Sequence, residues 1–322
     1  MFYISAASSI THQPTFKNAG FSVAIEPLTE TSFEPQSPNY KEYIDAGLLR
    51  RMSKILRMSV TCAKDCIEQA KIDQPDSIIV GTGLGCLQDT EKFLNTFLSV
   101  EGLLPPTSFI QSTHNTIAGQ ISLSIGNHGY NMTHTQNTLS FEHALTDAML
   151  LLGEDDSHVL VGAADEFIPV LDEIGVELKM VPVLLTSGAS FFIMSKEKND
   201  RAIARIGDSE TFGLVDDVPS AIASFLDRNL LIVSDIDVVL FADYKTVYGD
   251  NSFVYTYFNH ISDKSRFVNY SLLSGFYATN SAFALHYAVD MMQENKQIRN
   301  VLICNNLNKI NLGLTLVQSL EA

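Results

Sequence analysis

Apolar residues in this chain recur in short blocks whose spacing switches between strand and helix. Residues 2–7 read as a short strand, and residues 18–45, with Pro27, Pro35 and Pro38, read as loop. Met52, Ile55, Leu56, Val60, Ala63, Ile67 and Ala70 keep helical spacing, which predicts a helix over 47–71. Ser77–Gly81 is a buried-type strand that runs into the glycine turn Gly81, Gly83, Gly85. A helix over Thr90–Val100 with Phe93, Phe97 and Leu98 follows. After Pro105 and Pro106 the pattern predicts one helix over 107–127, carrying Ile117, Ile121 and Ile125.

The stretch from Gly129 to Leu152 carries the most chemical information. It starts as a strand at Tyr130, passes a polar turn, and becomes an amphipathic helix through Phe141, Ala144, Leu145, Ala148 and Met149. Such a layout presents a nucleophile at a helix N-terminus, yet the turn holds Gln136, Asn137, Thr138 and Ser140, with no cysteine nearby. Further strands are predicted at His158–Ala164, Ala189–Ser195 and Asp237–Ala242. A helix follows at Asn280–Gln293, and Asn300–Cys304 with Leu312–Val317 forms a closing strand pair. Alternating strands and helices imply an α/β fold with largely buried sheets. The most charged connector, Lys196–Arg201, marks a soft boundary between 1–198 and 199–322.

Composition narrows the function classes. The chain has 322 residues, 46% hydrophobic and 18% charged, enough for one large domain or two fused halves. Its 21 Lys and Arg against 37 Asp and Glu give a net charge of -16, which argues against a nucleic-acid partner. Cys62, Cys66, Cys86 and Cys304 have neither metal-pair nor disulfide-framework spacing, as expected in a reducing cytoplasm. No segment approaches the ~18 apolar residues of a membrane span, and the N-terminus lacks a signal-peptide pattern.

The motifs exclude more than they assign. GTGLG at Gly81–Gly85 lacks the remaining glycine of a dinucleotide fingerprint and the Lys-Ser/Thr of a P-loop, so it reads as a tight turn. No GxSxG elbow is present, and Ser140 has no flanking glycines. None of the eight histidines forms a metal motif. His134 and His143 flank the polar turn, where either a general base or a structural hydrogen bond would fit. No cofactor or metal is implied.

Four segments then carry a resemblance: IIVGTGLGCLQDTEKFL, PTSFIQSTHNTIAGQISLSI, HVLVGAADE and TSGASFFIMSKEK. In this order and spacing they resemble the β-ketoacyl synthase family, most closely its divergent branch of aryl-polyene and flexirubin pigment pathways. The resemblance covers most of residues 1–200 and is faint in the C-terminal third. It implies a thiolase-like five-layered αβαβα fold of two related halves, the second one shortened, dimeric across the nucleophile-bearing half.

Active members of that family need a cysteine at a helix N-terminus, where the helix dipole and backbone N–H groups activate the thiol, and two histidines. The resemblance puts the nucleophile position at Thr138, or at Gln136 in a shifted register. The histidines fall at Asp243 and Phe276, a lysine at Ser271, and the glycine-rich gating loop at Asn306–Asn311, with Leu307 at the gate and a retained Asn311.

Two function classes follow. One is a catalytically silent, chain-length-factor-like partner of an active ketosynthase, as a heterodimer or a homodimer, serving an acyl carrier protein. Phe93, Phe97 and the stretch from Thr107 through Phe109 and Ile110 to Ser112 would then lie near the shared tunnel and interface. The other is an enzyme: a 3-oxoacyl-ACP synthase using a cysteine from elsewhere, such as Cys86 or Cys304, or a malonyl-thioester decarboxylase using Gln136.

Overall fold

The computed structural model describes residues 1–28, 34–178, 185–242, 266–306 and 311–321. Its strands are β1 (Phe2–Ile10), β2 (Ser77–Gly81), β3 (Tyr130–His134), β4 (His158–Asp165), β5 (Gly188–Ser195), β6 (Ala204–Gly213), β7 (Val238–Phe241), β8 (Arg266–Asn269), β9 (Asn300–Asn305) and β10 (Asn311–Gln318). The helices are α1 (Ala46–Leu49), α2 (Lys54–Ala70), α3 (Leu87–Ser99), α4 (Pro106–Gln111), α5 (Thr116–Ile125), α6 (Ser140–Gly153), α7 (Val170–Glu177), α8 (Val218–Arg228), α9 (Ser271–Ser274) and α10 (Ser281–Glu294).

Strand order exposes an internal repeat. The hydrogen-bonded order is β3-β2-β4-β5-β1-β6-β10-β9-β7-β8, so β1–β5 and β6–β10 are arranged alike, each as third, second, fourth, fifth, first. The directions match too: β2 is parallel to β3 and β4, as β7 is to β8 and β9, while the last strand of each set runs antiparallel. The sets meet where Phe2–Ile4 of β1 pair with Ala204–Ile206 of β6.

Three apolar clusters separate five layers. In β9, Val301 and Ile303 face one cluster while Leu302 and Cys304 face another, the two-sided burial of a strand covered on both faces. The central cluster holds Phe141, Leu145 and Leu152 of α6 with Phe283, Leu285 and Val289 of α10, between Val161 and Phe192 on one side and Leu240 and Ile303 on the other. Outside the first sheet, α2 and α5 contribute Ile55, Val60, Ile117 and Ile121. Outside the second, α8 contributes Ile222, Phe225 and Leu226. The arrangement is thiolase-like: helix, sheet, helix, sheet, helix.

Several expectations from the pattern are corrected. The helix expected over 47–71 is broken: Asp45 caps α1 by accepting Gly47 N, and Ser53 is extended (φ −67, ψ 171) ahead of α2. Met52 packs in the core from this break rather than from a helix. The helix expected over 107–127 is also two. Between α4 and α5, the hydroxyls of Ser112, Thr113 and Thr116 take carbonyls of Phe109 and Ile110, competing with the helical ladder. β1 runs to Ile10, three residues past its expected end. α7, β6, α8 and β8 are elements the pattern did not reveal. β6 carries the half-buried Arg205, Asp208 and Glu210 between its buried residues, which masks its alternation.

Candidate active-site turn

The turn before α6 sits where the two sets of strands converge. β3 ends at His134, Gln136 is exposed, and a 3-10 turn spans Asn137–Leu139. The backbone reversal falls on Asn137 (φ 52), a left-handed conformation that asparagine tolerates better than most residues. Ser140 Oγ donates to Asn137 O at 2.7 Å and fixes the reversal. Asn137 thus lies between Gln136 and Thr138; its conformation has no sequence signal beyond the residue type.

Close packing holds this turn from two sides. A Cβ on Gly81 would stand 2.5 Å from Ser140 O, and one on Gly83 would stand 2.2 Å from Ala278 Cβ and 3.3 Å from Asn137 O. Both positions therefore require glycine by close approach. The N–H groups of the glycine turn are already used. The buried Asp165 carboxylate accepts from Thr82 Oγ1, Gly83 N and Leu84 N at 3.0 Å, and from Thr279 N and Oγ1 at 3.1 and 2.8 Å. Burial pushes its pKa up, while these donors pull it back. A carboxylate fills the cradle from within the protein, as the tight-turn reading of GTGLG requires.

Thr138 is buried, at 8% exposure. Asn305 Nδ2, at the end of β9, donates to Thr138 O at 2.7 Å and to Glu142 Oε1 at 2.8 Å. Asn305 and Glu142 are the residues that sequence reasoning missed. The only available signal was a charged residue on the apolar face of α6, one turn after Thr138. Phe276 is half-buried and its carbonyl accepts from Thr186 N at 2.8 Å. Ser271, buried, opens α9, and Asn311 opens β10, its carbonyl accepting from Asn306 Nδ2 at 3.3 Å. Asp243 and Leu307 lie outside the described residues.

No described group near the turn has the character of an activated nucleophile. Cys86 and Cys304 are fully buried, and their thiols are pushed far up, Cys86 by burial and the carboxylates of Glu166, Asp89 and Asp165, Cys304 by burial alone. Cys62 and Cys66 face Ala189 O and Phe191 O within the outer core and are raised likewise. His134 Nε2 pairs with Asp147 Oδ2 at 2.9 Å and its ring stacks on His143. Burial lowers the His143 pKa. Among the described residues, no group of His, Cys, Asp and Glu has the arrangement of a metal site.

The predicted tunnel and interface residues lie on the surface. Phe97, Phe109 and Ile110 are 57%, 58% and 61% exposed, Thr107 is exposed, and Phe93 is half-buried against Phe109 with ring centroids 5.6 Å apart. Beyond them β3 is the edge of the first sheet among the described residues, and Tyr130, Met132 and Leu123 are exposed there.

By sequence, residues 29–177 match the family described as Beta-ketoacyl synthase, N-terminal domain. No curated protein matches the chain by sequence. By structure, ketosynthase assemblies match from end to end. A chain of the ishigamide ketosynthase/chain length factor is 15% identical with a TM-score of 0.79, covering 99% of each chain. A chain of a type II polyketide acyl-carrier protein in complex with its ketosynthase is 14% identical with a TM-score of 0.80, again covering 99% of each. A ketosynthase in complex with its chain length factor from Xenorhabdus doucetiae is 10% identical with a TM-score of 0.77, over 99% of this chain and 98% of that one. The whole chain therefore has the ketosynthase fold, including the C-terminal third where the sequence resemblance was faint.

Proposed function

We propose that this chain is a catalytically silent β-ketoacyl synthase homologue that pairs with an active ketosynthase as a chain-length-factor-like subunit. The observation that carries this reading is the turn before α6. It offers Gln136, Asn137 and Thr138 in place of a thiol, and Asn305 holds the Thr138 carbonyl. The buried, proton-bearing Cys86 and Cys304 argue against a relocated nucleophile. Asp243, Phe276 and Ser271, taken as the family's histidine and lysine positions, would leave decarboxylation without its donors. The two functional halves are residues 1–198 and 199–322.

The partner surface in this reading is the β3 edge with α3, α4 and α5, where Leu94, Phe97, Leu98, Leu103, Phe109, Ile110 and Leu123 are exposed. Burying such residues drives association, and stable interfaces of this kind cover roughly 1,600 Å² or more in total. An acyl carrier protein is the expected third party. A cleft of about 870 Å³ between the start of α2, α3 and α4 gathers Arg50, Arg51 and Lys92 with the carboxylates of Asp89 and Glu91, and in a chain of net charge -16 its arginines are the groups proposed to meet a carrier's phosphate. The pathway class is fatty acid or polyene, polyketide-type synthesis in the cytoplasm, with the aryl-polyene branch as the specific proposal.

Co-expression with a ketosynthase bearing an intact Cys-His-His set, followed by size exclusion, tests the reading. A complex is expected, and failure to pair with any such partner sinks it. Gln136 stands exposed at the head of the turn, which makes malonyl-thioester decarboxylation the competing reading. Decarboxylation by the isolated chain, abolished by Gln136→Ala, would establish that alternative instead.

A further inference from the structure

The Glu142 carboxyl is enclosed at the centre of the five layers, 1% exposed, one helical turn after Thr138. Its Oε1 accepts from Asn305 Nδ2 at 2.8 Å, and the same amide nitrogen donates to Thr138 O at 2.7 Å. Its shaft lies where residue 313 would carry a side chain: a Cβ on Gly313 would stand 2.9 Å from Glu142 Cγ and 3.0 Å from Cδ. Glu142 Oε2 and Asn305 Oδ1 are buried without hydrogen-bond partners, and Ser281 Oγ of α10 has no partner in good geometry although it adjoins the carboxyl. A carboxylate fixed in this setting would be a buried charge with one oxygen unsolvated.

We propose that Glu142 is a proton-carrying positioning residue: its carboxyl, working through Asn305, clamps the turn at Thr138 to β9 and β10, and loss of the proton leaves a buried, half-solvated charge that forces open the packing around that clamp. This goes beyond the pairing reading and does not depend on it. On ionisation the carboxyl O–H bond breaks and the proton passes to solvent. The remaining carboxylate must then draw water or the Ser281 hydroxyl toward Oε2.

The surroundings make the equilibrium local to this group. β2 carries no titratable residue, and the facing residues of the 3-10 turn, α10, β9 and β10 are Thr138, Ser281, Asn305 and Gly313. The titratable groups on the other packed elements are engaged elsewhere. Asp165 of β4 holds the glycine turn, His134 of β3 holds Asp147, and Asp208 and Glu210 of β6 hold Arg228. On α10, His286 bonds Ser9, and Asp290 bonds Gly20 N and Ser22 N. His158 lies at the far end of β4 and Arg205 near the start of β6. Burial raises the Glu142 pKa from 4.5 to about 7, against the pull of Asn305 and Ser281. That corresponds to about 300-fold tighter proton binding in the folded chain.

The sign follows from linkage. The folded chain holds the extra proton between 4.5 and about 7, so this group's contribution to stability falls as pH rises through that window and levels off above it. Two readouts on the full purified chain test the clamp, with Glu142→Gln as the variant, since its amide oxygen can still accept from Asn305 but the side chain cannot ionise. The first is the difference in melting temperature between wild type and Glu142→Gln across pH 5 to 8. It is expected to move against the wild type as pH rises, and a pH-independent difference overturns the proposal. The second is hydrogen exchange of the 136–142 backbone, corrected for intrinsic rate, in which wild-type protection should drop as pH passes through about 7 while the variant's does not. If Glu142→Gln does not fold, the wild-type exchange profile decides alone, and protection unchanged across that pH range overturns the clamp. Neither readout involves a partner, so a failed clamp and a failed pairing are told apart.

Discussion

Asp165→Asn is the substitution whose cost follows most directly from the geometry around the turn. Asp165 Oδ1 accepts from Thr82 Oγ1, Gly83 N and Leu84 N, while Oδ2 takes Thr279 N and Oγ1 and shares Gly83 N at 3.2 Å. An amide placed with its oxygen toward the glycine turn turns its NH2 toward Thr279. The Thr279 hydroxyl can rotate to accept, but the Thr279 N–H then faces a donor and loses its partner. A buried donor left unsatisfied costs about 1–3 kcal/mol, and replacing charge-assisted bonds by neutral ones adds about 1 kcal/mol. Restored desolvation returns part of this, because burial already opposes the ionised form. The expected net loss is about 2–3 kcal/mol, read as a lower urea midpoint with unchanged m. Asp165→Ala, which orphans both sides, should cost about 3–5 kcal/mol. A loss below about 0.5 kcal/mol for both variants would refute the assignment of Asp165 as the tie between the glycine turn and the start of α10.

Other outcomes follow from the same geometry. Gly83→Ala would bring its Cβ to 2.2 Å from Ala278 Cβ, so it should destabilise by about 1–3 kcal/mol as overpacking, checked by denaturant unfolding. The folded chain should show no thiol titration by an aromatic disulfide reagent near neutral pH, because all four cysteines are buried, and full titration after denaturation. Phe97→Glu with Ile110→Glu should weaken association with a partner ketosynthase by more than about tenfold while leaving the chain's own melting temperature nearly unchanged, since both side chains are exposed. Arg50→Glu with Arg51→Glu should weaken carrier-protein binding and flatten its salt dependence, measured by titration at several ionic strengths.

The sequence disclosed the layers better than the seams. Buried blocks such as Ser77–Gly81 and Asn300–Cys304 read correctly because a strand covered on both faces is apolar throughout. β6 escaped notice because charged residues stand between its buried ones, and α4 and α5 read as one helix because hydroxyl-to-carbonyl bonds break a ladder that the apolar pattern continues. At the turn, the strand–turn–helix layout was legible from Tyr130 to Leu152, but the left-handed residue proved to be Asn137, flanked by the two candidates. The Glu142–Asn305–Thr138 connection joins residues 163 apart in the chain or more, and no local pattern encodes such a pairing. Asn305 looked like a strand terminus, and only the convergence of β9 on α6 gives it a role.

The central claim is tested most directly by reconstituting ketosynthase activity with and without this chain. An active ketosynthase, its acyl carrier protein and malonyl-carrier substrate are combined, and chain elongation is followed by mass spectrometry of the carrier-bound products. Elongation is expected to require this chain, to be absent from the chain alone, and to persist when Gln136→Ala or Thr138→Ala is used in place of the wild type. Elongation or malonyl decarboxylation by the chain alone, lost on either substitution, would contradict the account.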